Sequence, residues 1–197
     1  MKENEEQVLT WLFKAEGGFI ESPSEPGGAS NFGIAMVTLS DWRGLKKLEK
    51  PSILDLKHMS RDEATEIYRY KYLNPIRFDE LPSGVDYCVF DAAVQHGCSG
   101  SIRLLQESLG FKDEEDYPDW TGHVITGDLD PSTMWAVKIR KPDILIREFM
   151  YVRAHRHKKI LEFKNTKIPD FSKKWSPIWD RRRAKVLERS LSLVGVK

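Results

Sequence analysis

The 197-residue chain is 40% hydrophobic and 31% charged, with a formal net charge of +1. That composition belongs to an ordinary globular chain and excludes a disordered or fibrous one. The length allows one cored domain, or a catalytic domain with a small appendage, and no apolar run approaches the ~20 residues of a bilayer span, so stable membrane insertion is not expected.

In chain order, Val8, Leu9, Trp11, Leu12, Phe13 and Ala15 recur at helical spacing and predict an amphipathic helix over residues 4–16. Gly17-Gly18 ends it, because glycine takes the left-handed cap conformation without steric cost. Residues 19–36 are too rich in Gly, Pro and Ser for a helix and read as a folded loop with a short hairpin. A short helix follows over 38–45. Ser60 and Glu63 have capping-box spacing and start a helix reaching about residue 72, which Asn74-Pro75 breaks. Residues 82–96 carry Val85, Val89, Ala92 and Ala93 on one face, as a buried central helix would. Gly97 and Gly100 separate it from a helix over 101–109, which Gly110 stops, and 111–127 read as an exposed loop. Asp130-Pro131 opens another helix, Lys141-Pro142 divides it from a longer one reaching residue 163, and a last helix runs from 177 to 194. No repeat is evident, strand signals are few, and the expected class is mainly α with a small irregular or β segment after Glu16.

Charge is unevenly spread. Residues 138–197 hold 18 Lys+Arg against 6 Asp+Glu, a net of +12, leaving residues 1–137 at −11. Either the basic part meets an anionic partner or the two parts attract each other. Cys88 and Cys98 form no CxxC pair and read as buried thiols; the five histidines have no ligand spacing, so neither metal nor cofactor is expected. His155 and His157, two apart, point to different sides of a helix. The acidic start "MKENEEQVLTWLF" lacks the features of a secretory signal.

The most informative stretch is "KAEGGFIESPSEPGGASNFGIA", residues 14–35, which puts Glu16 where a helix stops. Glycosidic bond cleavage uses a carboxylic acid still protonated near neutral pH. Apolar neighbours (Trp11, Leu12, Phe13, Phe19 and Ile20) and the electronegative helix C-terminus both oppose ionisation of Glu16, and Gly17-Gly18 leaves room for a cleft. The competing reading is a solvated helix-end acid.

The loop resembles the signature of the glycoside hydrolase family 108 muramidases. The matching residues are Glu16, Gly17, Gly18, Pro23, Pro26, Gly27, Gly28, Asn31, Gly33 and Ile34. "EIYRYKYLNPIRFDELPSGVDYCVFDAAVQHG" resembles that family's second segment. "RLLQESLG" followed by "TGDLDPSTMWAV", and the later "FSKKWSPIWDRRRAKV", are similar to its appended helical peptidoglycan-binding region. Three features depart from the pattern: Glu25 stands where Asp is usual, Ser30 where Thr is frequent, and Asp130 at a usual Gly position beside an insertion over 111–123.

The resemblance implies a lysozyme-like catalytic domain over residues 1–98 and a helical peptidoglycan-binding-like region over 99–197. The implied activity is cleavage of the β-1,4 bond between N-acetylmuramic acid and N-acetylglucosamine, with Glu16 as general acid. Glu25 is then either a second catalytic carboxylate or an exposed loop acid. Ser30 and Asn31 follow as substrate contacts, with turn chemistry the alternative for Asn31. Asp91 and Gln95 share a helical face with Tyr87 and either line the substrate groove or form a polar stripe. Trp11 and Trp42 stack on sugar or pack in the core. The implied partner is bacterial peptidoglycan, met by a monomer. No nucleic acid is expected, since no binding motif accompanies the basic run. The implied setting is a phage or prophage endolysin, held in the host cytoplasm until holin-dependent release, or carried on the virion. The alternative from another class is a non-catalytic wall-binding or secretion-aid protein that retains the fold.

Overall fold

The computed structural model describes residues 2–21, 28–113 and 122–196. Glu25 and much of the expected 111–127 loop lie outside the described residues. By packing, the chain divides into two compact units, Lys2–Asn74 and Pro75–Lys197.

In the first unit, α1 (Lys2–Glu16) buries Val8, Leu9, Leu12 and Phe13 along one face. Glu3 and Glu5 in its first turn and Lys14 in its last complement the helix dipole. Gly17 takes φ +80° and its amide donates to the Phe13 carbonyl at 3.0 Å, closing the helix as expected. The chain then pairs Ile20 with Ser30 through two backbone bonds and forms a two-stranded antiparallel sheet, β1 (Ser30–Asn31) and β2 (Ile34–Ala35). The two residues between the strands, Phe32 at φ 51° and Gly33 at φ 76°, are both left-handed, as a tight hairpin of this hand requires. Three helices follow: α2 (Met36–Leu45), α3 (Ile53–Lys57) and α4 (Arg61–Tyr68). The helix expected to reach residue 72 does continue, but as a widened π-helical turn over Arg69–Leu73, closed by the Asn74 amide on the Arg69 carbonyl at 2.9 Å.

Helix α3 has no counterpart in the sequence reading. It is only five residues long, yet Ser52 and Asp55 form a complete capping box at its start. At Ser60 the expected box is half made. The Ser60 hydroxyl accepts from the Glu63 amide at 3.0 Å, while the Glu63 carboxylate instead accepts from Arg43 Nε at 3.2 Å. Arg43 also reaches Asp55 at 3.1 Å, so one guanidinium links α2 to both α3 and α4.

The second unit is built on α5 (Val85–His96), whose residues from Val85 through Ala93 are all buried, packed by α6 (Cys98–Ser108), α8 (Pro142–Asn165) and α9 (Phe171–Leu193). Gly84 begins α5 with φ +79°, and a Cβ there would lie 2.3 Å from the Ser190 carbonyl oxygen, so only glycine allows this approach of α9. Asp130 caps α7 (Pro131–Ile139) by accepting from the Thr133 amide at 2.7 Å. α9 begins six residues earlier than expected, with Pro177 inside it. Among the described residues no helix is long and apolar enough to cross a membrane. The mainly α architecture with a small sheet after Glu16 is the one the sequence predicts.

Candidate active site around Glu16

Glu16 is the last residue of α1 and is half-buried. Its side chain lies against the β1–β2 turn: the point where a Gly33 Cβ would stand is 3.0 Å from Glu16 Cγ and 2.9 Å from Tyr68 Oη. The absent side chain at position 33 therefore makes room for the glutamate and the tyrosine together. Tyr68, buried at the end of α4, donates its hydroxyl to the Phe32 carbonyl at 2.9 Å. The Phe13 ring packs on Phe32 with centroids 5.2 Å apart and on Tyr68 at 5.7 Å. A non-glycine left-handed residue such as Phe32 is uncommon, and this aromatic packing and hydrogen bond hold it there. The turn is thereby fixed beside the glutamate. Tyr68 thus braces the turn, a role the sequence reading did not assign; its place in the segment "EIYRYKYLNPIRF" was the available signal.

The other candidates have more defined structural roles. Asn31 is buried, and its amide nitrogen donates to the carbonyls of Leu56 at 2.9 Å and Lys57 at 3.1 Å. It satisfies the open C-terminal carbonyls of α3 and ties the hairpin to that helix. Ser30 contributes its backbone to Ile20 on one side and faces Ala35 on the other. Trp42 is buried and packs on Tyr70 at 5.4 Å, the core reading of the two weighed for it. Trp11 is half-buried.

Tyr87, Asp91 and Gln95 occur in the second unit, on α5. Asp91 is 5% exposed and accepts from two arginines: Arg153 Nη2 of α8 on Oδ2 at 2.5 Å and Arg182 Nε of α9 on Oδ1 at 3.0 Å. The same Arg153 nitrogen donates to Gln95 Oε1 at 2.5 Å. Burial opposes the Asp91 charge, but the two guanidiniums outweigh it and hold the carboxyl below its ordinary range. Tyr87 is also buried, which raises its hydroxyl pKa, and Arg189 reaches its oxygen at 3.4 Å. Neither expected alternative, groove lining or solvated stripe, describes Asp91. It joins three helices inside the unit, because a carboxylate on the buried face of α5 requires cationic partners.

Next to this cluster, Arg183 Nη1 donates to His157 Nδ1 at 2.6 Å, and His157 Nε2 lies 2.9 Å from His96 Nε2. Because arginine can only donate, His157 accepts at Nδ1 and carries its proton on Nε2, which it gives to His96. Both rings are then neutral. Burial, followed by the Arg153 charge, pushes His96 down to about 4 and His157 to about 3. Cys88 is fully buried, which raises its thiol pKa, while Cys98 is half-buried.

The appended-region motif also has a structural explanation. Buried Gln106 donates to Thr126 Oγ1, the Asp128 carbonyl and Thr133 Oγ1, and accepts from the amides of Thr126 and Gly127. One side chain thus folds the whole "TGDLDPST" turn onto α6. The cleft of about 400 Å³ bordered by Arg147, Met150, Tyr151 and Leu187 contains one carboxylate, Asp180, which pairs with Arg183. Paired acids for glycoside chemistry are not found in its lining. Among the described residues, no group of three or more His, Cys, Asp or Glu side chains could hold a metal ion.

Residues 9–97 match the family model described as Glycosyl hydrolase 108, the family that the loop motif resembles. Among solved structures, the chain is similar to one titled Structure of Brucella abortus SagA, with 29% identity and a TM-score of 0.76, covering 98% of this chain and 97% of that one. A comparison with curated proteins gives no significant match. The family-matched segment ends at residue 97, near the boundary expected at 98, whereas packing assigns α5 to the second unit. The family match supports glycoside hydrolase function, and the structural likeness supports the fold.

Proposed function

We propose that the protein is a peptidoglycan hydrolase that cleaves the β-1,4 bond between N-acetylmuramic acid and N-acetylglucosamine, with Glu16 as general acid. The observation that carries this reading is the packing of Glu16 against the glycine of a braced hairpin turn, within the segment that matches a glycoside hydrolase family. A carboxylic acid at a fixed position beside an open backbone can donate its proton to the glycosidic oxygen as the C–O bond breaks. The leaving sugar departs as an alcohol, and water supplies the hydroxyl at the new anomeric carbon. Gly33 leaves room for the Glu16 side chain beside the turn, and Tyr68 fixes the turn.

Glu25 is the proposed second carboxylate. If it activates water, the product anomer is inverted; if it is the nucleophile, configuration is retained. Ser30 is a proposed substrate contact. The proposed setting, on resemblance, is a phage or prophage endolysin acting on the bacterial wall.

Digestion of purified sacculi tests the activity. The expected products carry N-acetylmuramic acid at the new reducing ends, identified by mass spectrometry. N-Acetylglucosamine at those ends would contradict the bond assignment, as would anhydro-muramic products. Sacculus binding without new reducing ends would favour the non-catalytic wall-binding alternative.

A further inference from the structure

The turn joining α8 to α9 has features that lysozyme-like chemistry does not use. Exposed Lys159, Lys164, Lys167, Lys173 and Lys174 cluster around it, against Glu162 and Asp170. Among these cations stand three large apolar side chains that are about half exposed: Phe163 at 57%, Ile168 at 49% and Ile178 at 48%. Charge and apolar surface are in contact here. Lys167 Nζ sits 4.5 Å over the Phe163 ring, and Lys174 Nζ sits 5.1 Å over Trp175. The turn is also braced. Asn165 Nδ2 donates to Ser172 Oγ at 2.7 Å while the Ser172 amide donates back to Asn165 Oδ1 at 2.8 Å. Beneath it, Phe171 packs on Trp175 and Trp179, and Trp179 packs on His157.

We propose that this lysine-rich, apolar α8–α9 tip is a docking surface for an anionic lipid bilayer. A soluble polyanion would engage the lysines but leave Phe163, Ile168 and Ile178 without a function. A neutral apolar partner would do the reverse. A bilayer with anionic headgroups takes both, with ammonium groups at the phosphate layer and apolar side chains at the acyl boundary. Attachment is peripheral, since among the described residues no helix can span a membrane. The braced turn presents these groups already ordered, which lowers the entropy lost on binding.

Flotation of the full chain with vesicles of phosphatidylglycerol and phosphatidylethanolamine, compared with phosphatidylcholine alone, tests the proposal. The expected bound fraction is about tenfold higher on the anionic vesicles and falls in high salt. Lys164→Glu with Lys167→Glu, and separately Phe163→Ser with Ile168→Ser, are each expected to lower it about tenfold while circular dichroism is unchanged. All four positions are exposed, and Ile178→Ser provides an independent apolar probe. The proposal is overturned by equal binding to both vesicles, by no binding, or by anionic binding that survives the apolar substitutions. Self-association without vesicles that Phe163→Ser and Ile168→Ser abolish would also overturn it, in favour of a second copy of the chain. The readout does not depend on hydrolytic activity, so it stands apart from the proposed catalysis.

Discussion

Gly33 controls the candidate site because two constraints coincide there. Its φ of 76° suits glycine, and an added Cβ would press on Glu16 Cγ and Tyr68 Oη at once. The left-handed backbone alone costs an ordinary residue roughly 1–2 kcal/mol. Gly33→Ala is therefore expected to lower the unfolding free energy by about that amount and to displace the glutamate, so activity should fall further than stability. Wild-type hydrolysis in a folded Gly33→Ala protein would show that the turn does not position Glu16. Sequence alone exposed the glycine, through its place in the Ser-Asn-x-Gly-Ile motif, and exposed Glu16 through the helix stop. It did not expose the anchoring role of Asn31. That role depends on carbonyls 25 and 26 residues away, belonging to a helix too short to show periodicity.

At the scale of elements, local signals worked where helices are long and capped, and failed where tertiary contacts override propensity. Asp130-Pro131 and Gly17 mark true boundaries because their effect is local. Pro177 reads as a helix start, but α9 already begins at Phe171. There, the aromatic contacts of Phe171, Trp175 and Trp179 offset a backbone bond that proline cannot make. Pro177→Ala is expected to restore that donor and raise the melting temperature, since proline costs up to ~3 kcal/mol in a helix interior. A lower melting temperature would mean that the ring itself packs usefully. At α3, the hydroxyl and amide of Ser52, with help from Arg43, hold the Asp55 carboxyl at about 2, below its ordinary 3.8. Its contribution is complete above pH 3.8 and is lost as pH falls toward 2. Exchange protection of the α3 amides should therefore decline over that range, and should be weakened by Ser52→Ala even at neutral pH.

For the molecule as a whole, the sequence reading obtained the fold class and left open whether the basic part meets an anionic partner or the acidic part of the chain, without naming the pairs. The basic character of residues 138–197 is partly internal: Arg153 and Arg182 neutralise Asp91, and Arg183 holds the histidine pair. No spacing rule reveals this, because the partners meet only when α5, α8 and α9 pack. The histidines give the second unit a pH signature. Their folded pKa values of about 4 and 3 lie below the ordinary 6.5, so the unfolded chain binds more protons below pH 6.5. Stability is fully present above pH 6.5 and is lost as pH falls toward 4 and then 3. Urea midpoints measured from pH 7.5 to 4.5 should fall in the wild type and flatten in His96→Gln with His157→Gln. An equal slope in that variant would assign the pH response to other groups.

The central claim concerns a single proton donor. Release of new reducing ends from purified sacculi, compared between wild type and a folded Glu16→Gln variant at equal sacculus binding, tests it most directly. A loss of about 10²- to 10⁴-fold, the usual contribution of a general acid, is the predicted result. Reducing ends released at the wild-type rate by the Gln variant would contradict it.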